Sequence, residues 1–257
     1  MADNWRVYKE YFRLHLKTAM EYRFNFFAQT IGMFLNDSIW IVLWFLLFRE
    51  LGTINGYNAA DATLVFGIGA LGFGLVFVFF GNANNIYRSV EDGGFDFYLM
   101  TPLDEVFHAY LGRMMYSAIG DVLFGMMIIL VLAHDQLPLA LCAAMLGAIV
   151  LFAFEMMIDS LSFFVSRPRK ISAMLHRICV SVSVWPVDTY SAGLRGVMYL
   201  TMVAFIAAVP RNVVASASWS MLGWLAVVAT LLLTTSILLF KFGLRRYESG
   251  NMMTTRT

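Results

Sequence analysis

Apolar residues in this chain come in long runs separated by short polar stretches. Seven runs stand out: Phe24–Phe48, Ala62–Ile86, Met114–Ala133, Leu139–Val165, Ile171–Trp185, Gly193–Val209 and Trp219–Phe240. Most approach the roughly 20 residues that a helix needs to cross the hydrocarbon core of a bilayer. The five prolines, Pro102, Pro138, Pro168, Pro186 and Pro210, all fall outside the interiors of these runs, as residues that cannot donate to a helix ladder should. The two-residue alternation of a membrane barrel is absent, so the runs are predicted to be helices.

The basic residues orient the map. Before the first run lie Arg6, Lys9, Arg13, Lys17 and Arg23, and Arg88 and Arg113 lie between the second and third. Arg167, Arg169, Lys170 and Arg177 follow the fourth run, and Lys241, Arg245, Arg246 and Arg256 follow the last. Fifteen of the 18 therefore fall on one side, leaving Arg49, Arg195 and Arg211 on the other. Basic residues stay cytoplasmic, which puts both termini and the 166–177 loop inside. Three runs follow that loop, and an odd number of crossings cannot return the chain to the inside. The expectation is therefore six transmembrane helices, at 24–48, 62–86, 114–133, 139–165, 171–185 and 219–240, with 186–211 a re-entrant helical hairpin dipping from the outer face before the last span. Trp185, Pro186, Arg195, Pro210 and Arg211 flank it. A map in which 171–185 is an inner interfacial helix and 193–209 the fifth span satisfies the charges equally.

Composition narrows the class without changing this picture. Apolar residues make up 60% of the 257, and charged residues only 14%, against about 25% in a soluble domain. Mean hydropathy is +0.71. A soluble enzyme or a nucleic-acid binder is excluded. The first 23 residues carry eight charges before the apolar run opens at Phe24, so no cleavable signal peptide is expected. Cys142 and Cys179 lie in apolar stretches with no metal or disulfide spacing and read as small hydrophobes.

Residues 1–23 read as an amphipathic helix lying in the cytoplasmic interface. Trp5, Tyr8, Phe12, Leu16 and Ala19 share one face; Arg6, Glu10, Arg13, Lys17 and Glu21 take the other, a pattern suited to the headgroup boundary. Residues 24–248 form the single transmembrane domain, and 249–257 a cytoplasmic tail. Between the second and third spans Gly93-Gly94 marks a turn, followed by Phe95, Asp96, Phe97, Tyr98 and Leu99. Thr101, Pro102 and Asp104 have the spacing of a capped helix start. A continuous helix from Pro102 to Ala133 would be about 48 Å long and would project into the cytoplasm with the aromatic segment at its tip.

Catalytic and nucleotide motifs are missing. There is no Gly-Lys dipeptide, hence no phosphate-cradling loop, and no H-E-x-x-H, C-x-x-C or G-x-S-x-G. Gly67-Ile-Gly69-Ala-Leu-Gly72 formally matches a dinucleotide fingerprint, but that motif needs a soluble βαβ unit. Gly67, Gly69, Gly72 and Gly74 read instead as a thin helix face for close packing. Ala118-Ile-Gly-Asp121 falls short of the intramembrane aspartyl-protease motif, lacking its first glycine and a Tyr-Asp partner motif. Four acids, Asp37, Asp121, Glu155 and Asp159, lie within predicted spans. Ionisable residues at membrane depth mark substrate or ion paths by default, so these four are candidates for a translocation path or a subunit interface. A secondary transporter or channel using them as a proton or cation path is the rival reading, although internal repeats are not seen.

The N-terminal amphipathic helix, the six spans and Gly94-Phe-Asp-Phe-Tyr-Leu-Met-Thr-Pro-Leu103 together resemble the permeases of type-2 ABC (ABC-2) transporters. Trp185-Pro-Val-Asp-Thr-Tyr190 and Lys241-Phe-Gly-Leu-Arg-Arg-Tyr-Glu-Ser249 resemble one bacterial branch of that family. The resemblance implies a subunit without ATPase activity in the bacterial cytoplasmic (inner) membrane, belonging to an exporter and supplying half of the translocation path. It implies a second permease subunit, identical or a sister, and two ATP-binding subunits that hold the ATP and Mg; this chain would carry no cofactor. It also implies that the loop from Gly93 to Pro102 receives the ATPase stroke and that the hairpin before the last span forms an outer gate.

Overall fold

The computed structural model describes residues 2–165 and 168–247, with side chains from Arg6 onward. Arg167, Glu248, the expected tail at 249–257 and the side chain of Trp5 lie outside the described residues. Among those described, every regular element is helical. α1 (Ala2–Glu21) leads after a break at Tyr22 into α2 (Arg23–Leu51). α3 (Ala59–Phe79) is followed by three short helices, α4 (Ile86–Glu91), α5 (Asp96–Leu99) and α6 (Glu105–Leu111). Then come α7 (Ala118–Leu132), α8 (Leu137–Ser160) and α9 (Pro168–Ser183). α10 (Ala192–Leu200) and α11 (Ala208–Ala215) precede the last helix, α12 (Trp219–Leu244).

α3 is the centre of the bundle. It packs between α7 and α8, with α2 outside α7 and α12 outside α8. Its apolar window is 83% buried, whereas those of α2 and α12 are each only 17% buried. The exposed positions on the outer helices are large and apolar: Leu35, Ile39 and Phe45 on α2, Trp224, Leu231 and Leu238 on α12. Water does not tolerate an apolar surface of this extent; hydrocarbon does. Among the described residues, four helices are long and apolar enough to cross a membrane: α2, α3, α8 with its flanking turns, and α12. α7 is apolar but has 15 residues, about 22 Å. α9 turns several of its small polar residues inward and several of its apolar ones outward. Ser172, Cys179 and Ser183 are buried while Ile171, Met174 and Ile178 are exposed, the reverse of a helix facing water.

Glycine makes the centre tight. A Cβ on Gly74 would meet the backbone nitrogen of Val122 at 2.6 Å, and one on Gly125 would meet that of Leu71 at 2.5 Å. Gly67 likewise leaves no room against Ile128, while Gly72 lies on Ala148 of α8 and Gly69 on Ala207. The formal dinucleotide motif is thus spent on helix packing against three different neighbours.

Several boundaries differ from the expectation. α3 stops at Phe79, not 86, because Gly81–Asn85 turns sharply, with Asn84 at φ 64°. The helix expected to run unbroken from Pro102 to Ala133 is two helices. Residues 112–117 run alongside the end of α3, with Gly81 N donating to Arg113 O at 3.0 Å and Met115 N to Phe77 O at 3.1 Å. Gly81 permits this, since a Cβ there would sit 2.7 Å from Arg113 O. The start of α6 is capped by Asp104, whose carboxylate accepts from Phe107 N at 3.0 Å; the Thr101 hydroxyl donates to Tyr98 O instead. Arg177, counted with the 166–177 loop, lies on α9.

The chain between α9 and α12 starts and finishes beside the α2–α3 turn. Asn55 donates to Asp188 O, and Arg211 pairs with Asp61 at the first turn of α3. Its middle, Ile206–Ala207, reaches Gly147 of α8 and Gly69 of α3, halfway along both helices.

Candidate functional site

The four candidate acids separate into three environments. Asp37 on α2 and Asp121 on the first turn of α7 face one another closely enough for their charges to interact, with Asn36 beside Asp37. They meet because Gly120 lets the two backbones touch: a Cβ there would lie 2.5 Å from Thr30 O. Asp37 Oδ2 is buried and has no partner.

Glu155 on α8 is fully buried and bonds through Oε1 to Nδ1 of His176 on α9, at 2.6 Å. Asp159, one turn further along α8, is equally buried but does different work. It accepts from Asn84 N at 3.2 Å, Tyr87 N at 3.3 Å and the Tyr110 hydroxyl at 3.2 Å. These backbone groups lie at the start of α4, where N–H groups lack helical partners, so Asp159 caps α4 from a neighbouring helix. Burial and the adjacent Asp159 raise the pKa of Tyr110 well above that of an ordinary phenol, which keeps it a hydrogen donor.

A cavity of about 450 Å³ opens between α2, α3, α7 and α9. Asp37 and Asp121 line it with Asn36, Trp40, Phe73, Phe77, Asn84, His176 and Trp185; Glu155 and Asp159 are not among its lining residues. It therefore gathers two of the four acids directly and reaches a third through His176. The sequence reading missed His176, Trp40 and Asn84. The signal for His176 was available: it falls within the fifth apolar run, yet only acids were considered there.

The segment 93–102 is organised around Phe95. Its ring is fully buried, with centroids 5.4 Å from Tyr98, 5.6 Å from Tyr247, 5.7 Å from Phe163 and 6.1 Å from Phe240. Phe95 was expected in an exposed aromatic cluster, and that expectation is corrected: the Gly93 turn, at φ 73°, folds it into the core. Tyr98 is half-buried and accepts from Asn82 Nδ2 at 2.9 Å. The exposed apolar side chains are Phe97 (57%), Leu99 (40%) and Met100 (78%). Gly94 and Pro102 are exposed and Asp96 is half-buried.

α1 packs on α6 and the end of α3. Phe12 stacks on Phe79 and Tyr8 meets Phe107 edge-on. Tyr11 stacks on His108, His15 Nε2 lies 3.2 Å from Gly112 O, and the Tyr116 hydroxyl donates to His15 O at 2.8 Å. Leu16, expected on the apolar face, is 37% exposed; Tyr11 and His15 take its place because α6 offers polar partners.

At the other end of the bundle Trp185 packs against Trp44 at 4.7 Å and Trp40 at 6.2 Å. Pro186 is buried, and Arg195 pairs with Asp188 at 3.0 Å. Pro210 is buried against Gly147, and Arg211 pairs with Asp61 while lying 4.7 Å from the centre of the Tyr57 ring. Burial pushes the pKa of the Tyr57 phenol up to about 12.

A helical bundle with lipid-type outer faces and a polar-lined cleft defines a multi-pass membrane protein. The family model for the ABC-2 family transporter protein matches residues 34–251. The chain therefore belongs to the ABC-2 transporter family, as a membrane permease component of an ABC transporter. No curated protein matches it, and no solved structure does.

Proposed function

We propose that this chain is the membrane subunit of an ATP-driven bacterial exporter. It contributes half of the translocation path and is driven by a separate ATPase. The observation that carries the reading is the open cavity between α2, α3, α7 and α9, with the unpartnered Asp37 Oδ2 among its walls. A cavity between α2, α3, α7 and α9 that is only partly enclosed suits completion by a second permease, identical or a sister.

In this reading the chain crosses the cytoplasmic membrane six times, by α2, α3, α7, α8, α9 and α12. Both termini lie inside, α1 rests at the inner interface, residues 24–248 form the membrane domain and 249–257 a cytoplasmic tail. The segment 186–211 re-enters from outside and forms an outer gate. Its attachment at both ends to the α2–α3 turn, and its reach to Gly147 and Gly69, support this. The loop from Gly93 to Pro102 receives the ATPase, which binds ATP and Mg; Phe97, Leu99 and Met100 are its exposed apolar contacts.

The test is affinity purification of the tagged chain with its neighbours from the native membrane. The reading requires an ATP-binding-cassette ATPase in the complex and no ATP turnover by this chain alone. Turnover by the isolated polypeptide, lost on substitution within it, or a purified complex without any ATPase, would overturn it.

A further inference from the structure

We infer that the cavity between α2, α3, α7 and α9 is a binding site for an organic cation with an apolar, aromatic body. This rests on the permease reading, since it names the class of molecule that the path accepts.

Charge is the first argument. Asp37 and Asp121 both line the cavity and lie close enough for their charges to interact; two carboxylates at such quarters repel, so the pair is most readily held with one negative charge between them. The residues that line the cavity include neither Lys nor Arg, and the imidazole of His176 is tied through Nδ1 to Glu155. No side chain in the cavity is therefore available to neutralise that charge. Asp37 is 3% exposed, lines the cavity and keeps Oδ2 without a partner. A buried carboxylate oxygen without a donor is an uncommon feature, and a ligand bearing positive charge would supply what it lacks.

The walls give the second argument. Trp40, Trp185, Phe66, Phe73 and Phe77 line the same space. Trp40 packs on Phe66 at 5.5 Å and stands edge-on to Trp185 at 6.2 Å, so the aromatic surfaces are held in place. The electron-rich face of an aromatic ring attracts cations and repels anions, and the rings offer apolar area to an organic body. At about 450 Å³ the space falls within the range of small-molecule sites.

A bare metal ion fits less well. Among the described residues no group of three or more His, Cys, Asp or Glu side chains is placed to hold one, and a hard divalent cation asks for six or more oxygens. An anion would meet carboxylates and ring faces.

The experiment uses the full chain in nanodiscs of neutral phosphatidylcholine, with no nucleotide and no ATPase. The probes are radiolabelled tetraphenylphosphonium and, in separate samples, tetraphenylborate, which has the same shape and the opposite charge. Empty nanodiscs give the partition background. Saturable phosphonium binding with no saturable borate binding is expected from the wild-type chain, and Asp37→Asn should weaken it at least tenfold. Absence of saturable phosphonium binding, equal binding of the borate, or an unchanged affinity in well-folded Asp37→Asn would each overturn the inference. Should that variant fail to fold, the comparison of the two probes on the wild-type chain still decides. The binding result does not depend on an ATPase being found, so its failure and the failure of the transporter reading are separate events.

Discussion

The phenol oxygen of Tyr11 lies 2.7 Å from Nε2 of His108, joining α1 to α6 across 97 residues of chain. The other ring nitrogen, Nδ1, lies 2.9 Å from the Thr101 hydroxyl, whose own proton goes to Tyr98 O. Nδ1 therefore carries the hydrogen of the neutral ring, and Nε2 accepts from Tyr11. One histidine thus ties the N-terminal helix to the segment proposed to meet the ATPase.

This bond should respond to acid. Burial lowers the pKa of His108, and burial also lowers that of His15, outweighing its bond to Gly112 O. A depressed folded-state pKa means stability that is full above the unfolded value of 6.5 and is lost as pH falls through the folded value. Hydrogen exchange in residues 6–20, corrected for the intrinsic rate, should rise below pH 6.5 and stay protected above it. The step should disappear in the double variant His15→Gln, His108→Gln. A flat profile in the wild-type chain would show that the docking of α1 is not linked to these rings.

Asp159 should be needed for folding near α4 rather than for transport chemistry. Asp159→Ala leaves Asn84 N, Tyr87 N and the Tyr110 hydroxyl without their acceptor, and each buried orphan costs roughly 1–3 kcal/mol. Thermal unfolding in detergent should fall sharply for this variant and less for Asp159→Asn, which keeps an acceptor oxygen. Equal melting of Asp159→Ala and wild type would remove the capping role.

Gly147 should not accept a larger residue. A Cβ there would strike the carbonyl of Ile206 and crowd Pro210. Gly147→Val is expected to lose about 1–3 kcal/mol, as overpacked cores do. Gly193→Ala, where nothing lies within 4 Å, is the matched control, and indistinguishable melting of the two variants would contradict the close approach.

The loop makes a charge-reversal test specific. Phe97→Asp with Leu99→Asp alters two exposed positions and spares the buried Phe95. The permease should insert and melt normally while the ATPase no longer copurifies. Normal assembly and transport would mean that this surface rests on lipid headgroups instead.

Topology can be probed the same way. Single cysteines at Asn58 and Asp135 should react with an impermeant reagent from outside, and one at Lys170 should not. Labelling of position 170 from outside would refute the six-span path.

The architecture was legible because hydrophobic runs and basic flanks follow from the bilayer itself. Four of the runs match long apolar helices, and the Gly67–Gly74 face packs as a thin surface should. What failed was set by contacts between distant segments. The break at 112–117 depends on a backbone pairing with Gly81 and Phe77, which no local pattern announces. Leu16 was placed by periodicity and Phe95 by its place after the glycine turn, yet the partners that expose the first and bury the second lie on other helices. The acids were found as a set, but their separation into a facing pair, a histidine partner and a helix cap required three-dimensional neighbours.

The break between α6 and α7 also decides where a mechanical impulse would travel. An unbroken helix would deliver a push on the 93–102 segment straight along α7 like a piston. With residues 112–117 interposed, that route bends. Phe95 instead sits in a socket formed with Phe163, Phe240 and Tyr247, on the turn after α8 and the end of α12. Asp159 fastens the start of α4 to α8 in the same quarter of the molecule. Force applied at the loop would therefore be geared to the α8–α12 pair, on the far side of α3 from Asp37 and Asp121, and would tilt one half of the bundle against the other.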